Sequence, residues 1–217
     1  MTAALPPQIT PELLLHAYAS GVFPMSDSAD DPEIYWVDPQ QRGVFPLDKF
    51  HVSHRLARRI KQARYTITVN QCFGAVVNAC ADRTTTWINA EISGLYNELH
   101  NLGFAHSIEV MDADQLVGGV YGVTLNGAFF GESMFSKRKD TSKIALTYLM
   151  ARLNFGNFHL FDTQFLTAHL QSLGAVEVPR AHYRDKLEQA LLIEADFLKL
   201  PDITQPSEIL HLSSHTS

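Results

Sequence analysis

The chain has 217 residues, 46% of them hydrophobic and 18% charged, enough for one substantial core and a smaller second lobe. Its formal net charge of -6 argues against a surface coated in nucleic acid, and no window approaches the roughly 20 uninterrupted apolar residues of a membrane span. The opening Met1-Thr-Ala-Ala-Leu-Pro-Pro has neither the basic stretch nor the apolar core of an export signal, so a soluble, cytoplasmic protein without membrane contact is expected.

Thr10 followed by Pro11 starts a helix, with Thr as cap and Pro in the first turn, and Gly21 stops it, which predicts a helix over 11–20. Residues 22–48 are rich in Pro, Asp and aromatics, the composition of ordered loops and short strands. Residues 51–64 contain Arg55, Arg58, Arg59, Lys61 and Arg64 and no acid. Val52, Leu56, Ile60 and Ala63 fall on one stripe of a helix there, and Arg55, Arg58 and Arg59 cluster beside it. Such a face is either simply solvated or laid against a phosphate backbone. Residues 1–64 are expected to form a small N-terminal lobe that ends in this basic helix, and 65–217 the main domain.

A strand is predicted at 65–69, then helices at 72–81 and 90–102, the second capped by Asn89 and ended by Gly103. Strands at 105–111, 115–124 and 128–135 follow, joined by a turn at 112–114 and by Asn126-Gly127, a strong hairpin signal. A largely apolar helix at 141–155, a strand at 158–162, a helix at 165–173, a strand at 175–179 and a helix at 180–191 complete the pattern. The fold class is α/β, a mixed sheet with helices on both sides. Cys72 and Cys80 lie eight residues apart in one predicted helix, too far along its axis for a disulfide. No Cys-x-x-Cys or His-Glu-x-x-His appears, so the ten histidines form no recognised metal framework.

Asp162 and Gln164 stand two apart at the end of an apolar strand, where polar side chains need partners. They belong either to a structural network or to a site. Glu132 is a carboxylate inside the apolar run of residues 129–135, expensive to bury alone; it is either half of an internal ion pair or a seat for a cationic ligand. Trp87 opens the segment before a helix and either walls a pocket or covers the core. His106-Ser107 is no hydrolase pair, because neighbours on a strand face opposite sides and no Gly-x-Ser-x-Gly elbow is present. Ser142-Lys143 is no dyad, because neighbours on a helix do not face each other.

Two resemblances organise these segments. The element order β-α-α-β-β-β-α-β-α-β resembles the GNAT acyltransferase superfamily, which implies a GNAT-like domain behind the small lobe. Coenzyme A is disfavoured, because the turn at 136–143 (Ser-Lys-Arg-Lys-Asp-Thr-Ser-Lys) has no glycine to let backbone approach a pyrophosphate. Over residues 18–180 the chain resembles the leucyl/phenylalanyl-tRNA-protein transferase family. The resemblance is carried by Ala17-Tyr-Ala-Ser-Gly-Val-Phe-Pro24, Tyr35-Trp36, Thr86-Trp87-Ile88, Leu99-His-Asn-Leu-Gly103, Ala105-His-Ser-Ile-Glu109, Leu116-Val-Gly-Gly-Val-Tyr-Gly122, Gly131-Glu-Ser-Met-Phe-Ser136, Ser142-Lys143, Asp162-Thr-Gln164 and His169-Leu-Gln-Ser-Leu-Gly-Ala175.

That resemblance implies an aminoacyltransferase. The α-amine of a protein beginning with Arg or Lys attacks the ester that joins Leu, Phe or Met to the tRNA 3′ adenosine, marking the protein for N-degron-dependent degradation. Neither metal nor cofactor is implied. Asp162 would orient Gln164, which aligns the amine, and Glu132 would sit near the acceptor's amine or basic side chain. Tyr18 and Trp87 would hold the adenosine, and Val120, Phe129, Leu146, Leu149 and Phe161 would receive the transferred side chain. Arg55, Arg58, Arg59, Lys137, Arg138 and Lys139 would touch the acceptor stem. Met25 stands where a tryptophan is common, Val120 where some relatives have Met, and the N-terminal extension of many members is missing, which implies a reduced small lobe. A monomer is expected. The alternatives are a GNAT-like N-acyltransferase using coenzyme A and a non-catalytic tRNA-binding module.

Overall fold

The computed structural model describes residues 9–202 and 204–214; the Met1–Pro7 start lies outside the described residues. Helix α1 (Pro11–Ala19) begins as its cap dictates, with the Thr10 side chain accepting from the Leu13 amide at 3.2 Å. Strands β1 (Phe23–Met25) and β2 (Tyr35–Val37) form a separate antiparallel ribbon. Then come β3 (Gln41–Phe45) and α2 (His54–Lys61), whose buried residues are Leu56 and Ile60. Val52 precedes this helix and Ala63 follows it in a left-handed conformation, so the expected stripe is two residues long rather than four.

The main domain follows the predicted order. It contains β4 (Thr66–Val69), α3 (Phe73–Ala81), α4 (Ala90–Asn101), β5 (Ala105–Asp112), β6 (Gln115–Leu125), β7 (Ala128–Ser136), α5 (Thr141–Phe155), β8 (Leu160–Gln164), α6 (Ala168–Gln171), β9 (Val176–Pro179) and α7 (Arg180–Leu191). Helix α4 is capped by Asn89, which accepts from the Ile92 amide at 2.8 Å, and left by Gly103 at φ +84°. Helix α6 is one turn where nine residues were expected, and α8 (Pro206–Ser214) was not expected at all.

Seven strands make one mixed sheet in the order β4-β5-β6-β7-β8-β3-β9. Strand β3, from the segment assigned to the small lobe, is inserted antiparallel between β8 and β9, so the two expected units share a sheet. Gly43 permits the insertion: a Cβ there would come within 2.7 Å of the Phe165 backbone and of Thr163 Oγ. One buried cluster lies against α1, α3, α4 and α7, and the other against α2 and α5. Side chains of β7 and β8 alternate between them, Phe130 entering the first and Phe129 and Phe161 the second. No helix of the described residues is long and apolar enough to cross a membrane.

The join between β7 and β8 positions the site. It is parallel, while every other pair in the sheet is antiparallel, and its last paired residues are Phe130 and Asp162. Strand β7 continues to Ser136 and β8 to Gln164. The two strands therefore part, and the space between them is not closed by backbone hydrogen bonds.

Candidate active site

A cavity of about 350 Å³ opens where β7 and β8 separate. Glu132, Trp87 and Gln164 all line it, and Val120, Leu146 and Phe161 supply apolar wall. Gly131 also lines it, and a Cβ there would lie 2.7 Å from the Phe161 ring, so glycine keeps the cleft open. Met25 also lines the cavity. The expected wall residues Phe129 and Leu149 are not part of the lining; both are buried in the core, Leu149 on α5 and Phe129 behind Phe161 at 5.3 Å between ring centroids.

At the closed end Glu132 accepts three hydrogen bonds. Tyr18 donates to Oε1 at 2.7 Å, Gln164 Nε2 to the same oxygen at 3.1 Å, and Tyr96 to Oε2 at 2.6 Å. Burial pushes the Glu132 carboxyl up to about 7; the two tyrosine bonds and the Arg42 charge oppose the rise, and Asp162 adds to it. Burial, with the Glu132 charge, holds both phenols well above their usual range, so they remain donors. Tyr18 was expected at the adenosine. Instead it is fully buried outside the cavity wall, its ring tilted against Phe130 at 4.7 Å and its hydroxyl on Glu132.

Behind this layer lies a second one. Asp162 is fully buried and takes a bidentate fork from Arg42, Nε to Oδ1 at 2.9 Å and Nη2 to Oδ2 at 2.6 Å. The Tyr183 hydroxyl donates to Oδ2 at 2.8 Å and the Gln164 amide to Oδ1 at 2.8 Å. Arg42 in turn donates to Gly21 O and lies between the Phe23 and Tyr183 rings, 4.6 and 4.4 Å from their centroids. Asp162 thus orients Gln164 through its backbone. Gln164 itself sits at φ +57°, uncommon for a side chain of this kind, and this turn at the strand end aims its amide at Glu132.

Arg42, Tyr96, Tyr183 and Arg83 escape the sequence reading. Arg42 alone left a trace, as the one charge in the β3 segment beside Gly43. The tyrosines look like ordinary apolar-face residues of α4 and α7. The basic segments do converge: Asp140, just before α5, pairs with Arg59 at 3.1 Å and Arg55 at 3.8 Å, and Arg59 donates to Lys139 O. Arg58, Lys137, Arg138 and Lys139 are exposed. His106 and Ser107 face opposite ways, His106 stacked on Phe197 and Ser107 donating to Glu109, and burial lowers the imidazole to about 4.

Fold and site together define an α/β protein whose cavity lies between two diverging parallel strands and ends on a buried carboxylate. Residues 44–188 match the family described as leucyl/phenylalanyl-tRNA protein transferase, and residues 7–40 match that family's N-terminal domain. The chain is 59% identical to a leucyl/phenylalanyl-tRNA–protein transferase of Cereibacter sphaeroides, over 98% of this chain and 99% of the relative. It is 56% identical to one from a Ruegeria species, over 96% and 99%, and 55% identical to one from Afipia carboxidovorans, over 89% and 87%. The chain belongs to the leucyl/phenylalanyl-tRNA protein transferase family, and is an enzyme of that family.

Proposed function

We propose that this chain transfers Leu, Phe or Met from charged tRNA to the N-terminal α-amine of proteins beginning with Arg or Lys, and so marks them for degradation in the cytoplasm. The observation that carries this reading is the single cavity shared by Trp87, the Val120–Leu146–Phe161 wall, Glu132 and Gln164. The aminoacyl ester is already activated, so positioning and electrostatic stabilisation supply the acceleration.

In this reading the amino-acid side chain enters the apolar wall and Trp87 stacks on the unpaired adenosine. Gln164 gives its amide N–H to Glu132, which leaves its carbonyl oxygen to align the incoming amine. The amine nitrogen bonds to the ester carbon, and the bond from that carbon to the ribose oxygen breaks. Glu132, with a pKa about 7, draws the ammonium in and takes its first proton, which passes to solvent; as the amide forms it takes the second and returns it to the departing ribose oxygen. Tyr18 acts through Glu132, and Arg42 through Asp162. Arg55, Arg58, Arg59 and Lys137, Arg138, Lys139 hold acceptor-stem phosphates, contacts that serve any tRNA. The enzyme works as a monomer, in a GNAT-like domain.

Coenzyme A fits this reading poorly. At the start of α5 the Thr141 amide donates to Arg138 O and the Ser142 amide to Ser136 Oγ, so a pyrophosphate would find these two N–H groups already taken. The test incubates the enzyme with leucyl-, phenylalanyl-, methionyl- and arginyl-tRNA and with peptides beginning with Arg, Lys, Asp or Glu, and weighs the products. Leu, Phe or Met added to Arg or Lys peptides is expected. Arg added to acidic peptides would overturn the substrate assignment, and saturable acetyl-CoA binding with no transfer from tRNA would overturn the reaction.

A further inference from the structure

Arg83 has no task in the reaction above. It stands exposed in the loop after α3 and, with Glu132, supplies the charged part of the cavity lining. Its Nη2 donates to Ser133 Oγ at 2.8 Å and to Met134 O at 2.7 Å, which fixes the guanidinium over β7 just past Glu132. Met134 lies beyond the last β7–β8 pair, so Arg83 serves a carbonyl next to the opening. A guanidinium carries five N–H donors in a planar fork. Both of these bonds leave from one nitrogen, the Cys80 thiol beside it is a weak acceptor, and no carboxylate pairs with Arg83 among the described residues.

We propose that Arg83 binds the 5′-phosphate of the donor's terminal adenosine and thereby sets how far the ester reaches toward Glu132. The proposal rests on the aminoacyl-transfer reading. The donor is apolar at its amino-acid side chain and uncharged at its ester and base. Its nearest fixed negative charge is that phosphate, one ribose away. A fork with spare N–H groups, held at the cavity beside Trp87, suits a phosphate in charge and in shape.

The test uses three donors carrying the same amino acid: charged tRNA, 3′-aminoacyl-adenosine 5′-phosphate, and 3′-aminoacyl-adenosine without the phosphate. Wild type is expected to show a KM about tenfold lower for the phosphorylated nucleoside than for the bare one. Arg83→Gln raises KM for both phosphorylated donors and leaves the bare nucleoside within about twofold, with Arg83→Lys between because it keeps charge without the fork. An equal loss on all three donors would give Arg83 a purely structural role at Met134 and overturn the proposal. So would a wild-type KM indifferent to the phosphate, which is measurable even where Arg83→Gln does not fold. Failure of wild type with every donor would instead remove the transfer reading, and this inference with it.

Discussion

Glu132 is held by three donors and is still raised to about 7 from 4.5, so the folded protein keeps a proton that the unfolded chain has released. Stability therefore falls as pH rises from about 4.5 to about 7, by a total of roughly 3 kcal/mol, and levels off above. Glu132→Gln has no such titration: its urea midpoint should gain on wild type across that window, and a constant difference would refute the assignment. Asp162→Asn acts in the other direction. It strips charge from a fully buried partner of Arg42 and should cost about 3–5 kcal/mol in a denaturation curve, because the guanidinium stays buried without its counter-ion. Asp162, Gln164 and Glu132 were legible because polar side chains interrupt apolar runs. Their partners were not: Arg42 meets Asp162 across 120 positions of chain, and no local pattern encodes such a meeting.

At the scale of elements, the periodic helices and the hairpins were readable because each is specified by its own caps, turns and spacing. Helix α8 begins at Pro206 in a short stretch with little periodicity, and α6 is one turn because it starts only after its Thr167 cap and stops ahead of the left-handed Gly174. The parting of β7 and β8 has no signature in either strand alone. The meeting of the basic helix α2 with residues 137–139 depends on Asp140, which adopts a left-handed conformation at φ +68° before α5. Asn tolerates that backbone equally well, so Asp140→Asn should leave the fold intact while releasing Arg55 and Arg59. Binding of tRNA in a filter assay should tighten roughly threefold at low salt, with a log-log salt slope steeper by about one. Unchanged affinity and slope would place the acceptor stem elsewhere.

For the whole molecule, the decisive feature is that β3 lies inside the sheet and not beside it. A fragment of residues 65–217 lacks the strand between β8 and β9 and leaves Asp162 without Arg42. It should show no cooperative thermal transition by circular dichroism, whereas the full chain unfolds in one step. Residues 1–64 read as a separate lobe because residues 22–48 are rich in Pro, Asp and aromatics, a composition of loops and short strands that hides a strand belonging to the main sheet. The same insertion bears on how the protein is made. At about 5–20 residues per second, β3 leaves the ribosome roughly ten seconds before β8 and β9 exist to receive it. A nascent chain interrupted between β3 and β8 leaves both edges of β3 unfilled and Arg42 without Asp162, and one stopped before β9 still leaves one edge open, so proteolysis of truncated products should slow in two steps as β8 and then β9 emerge.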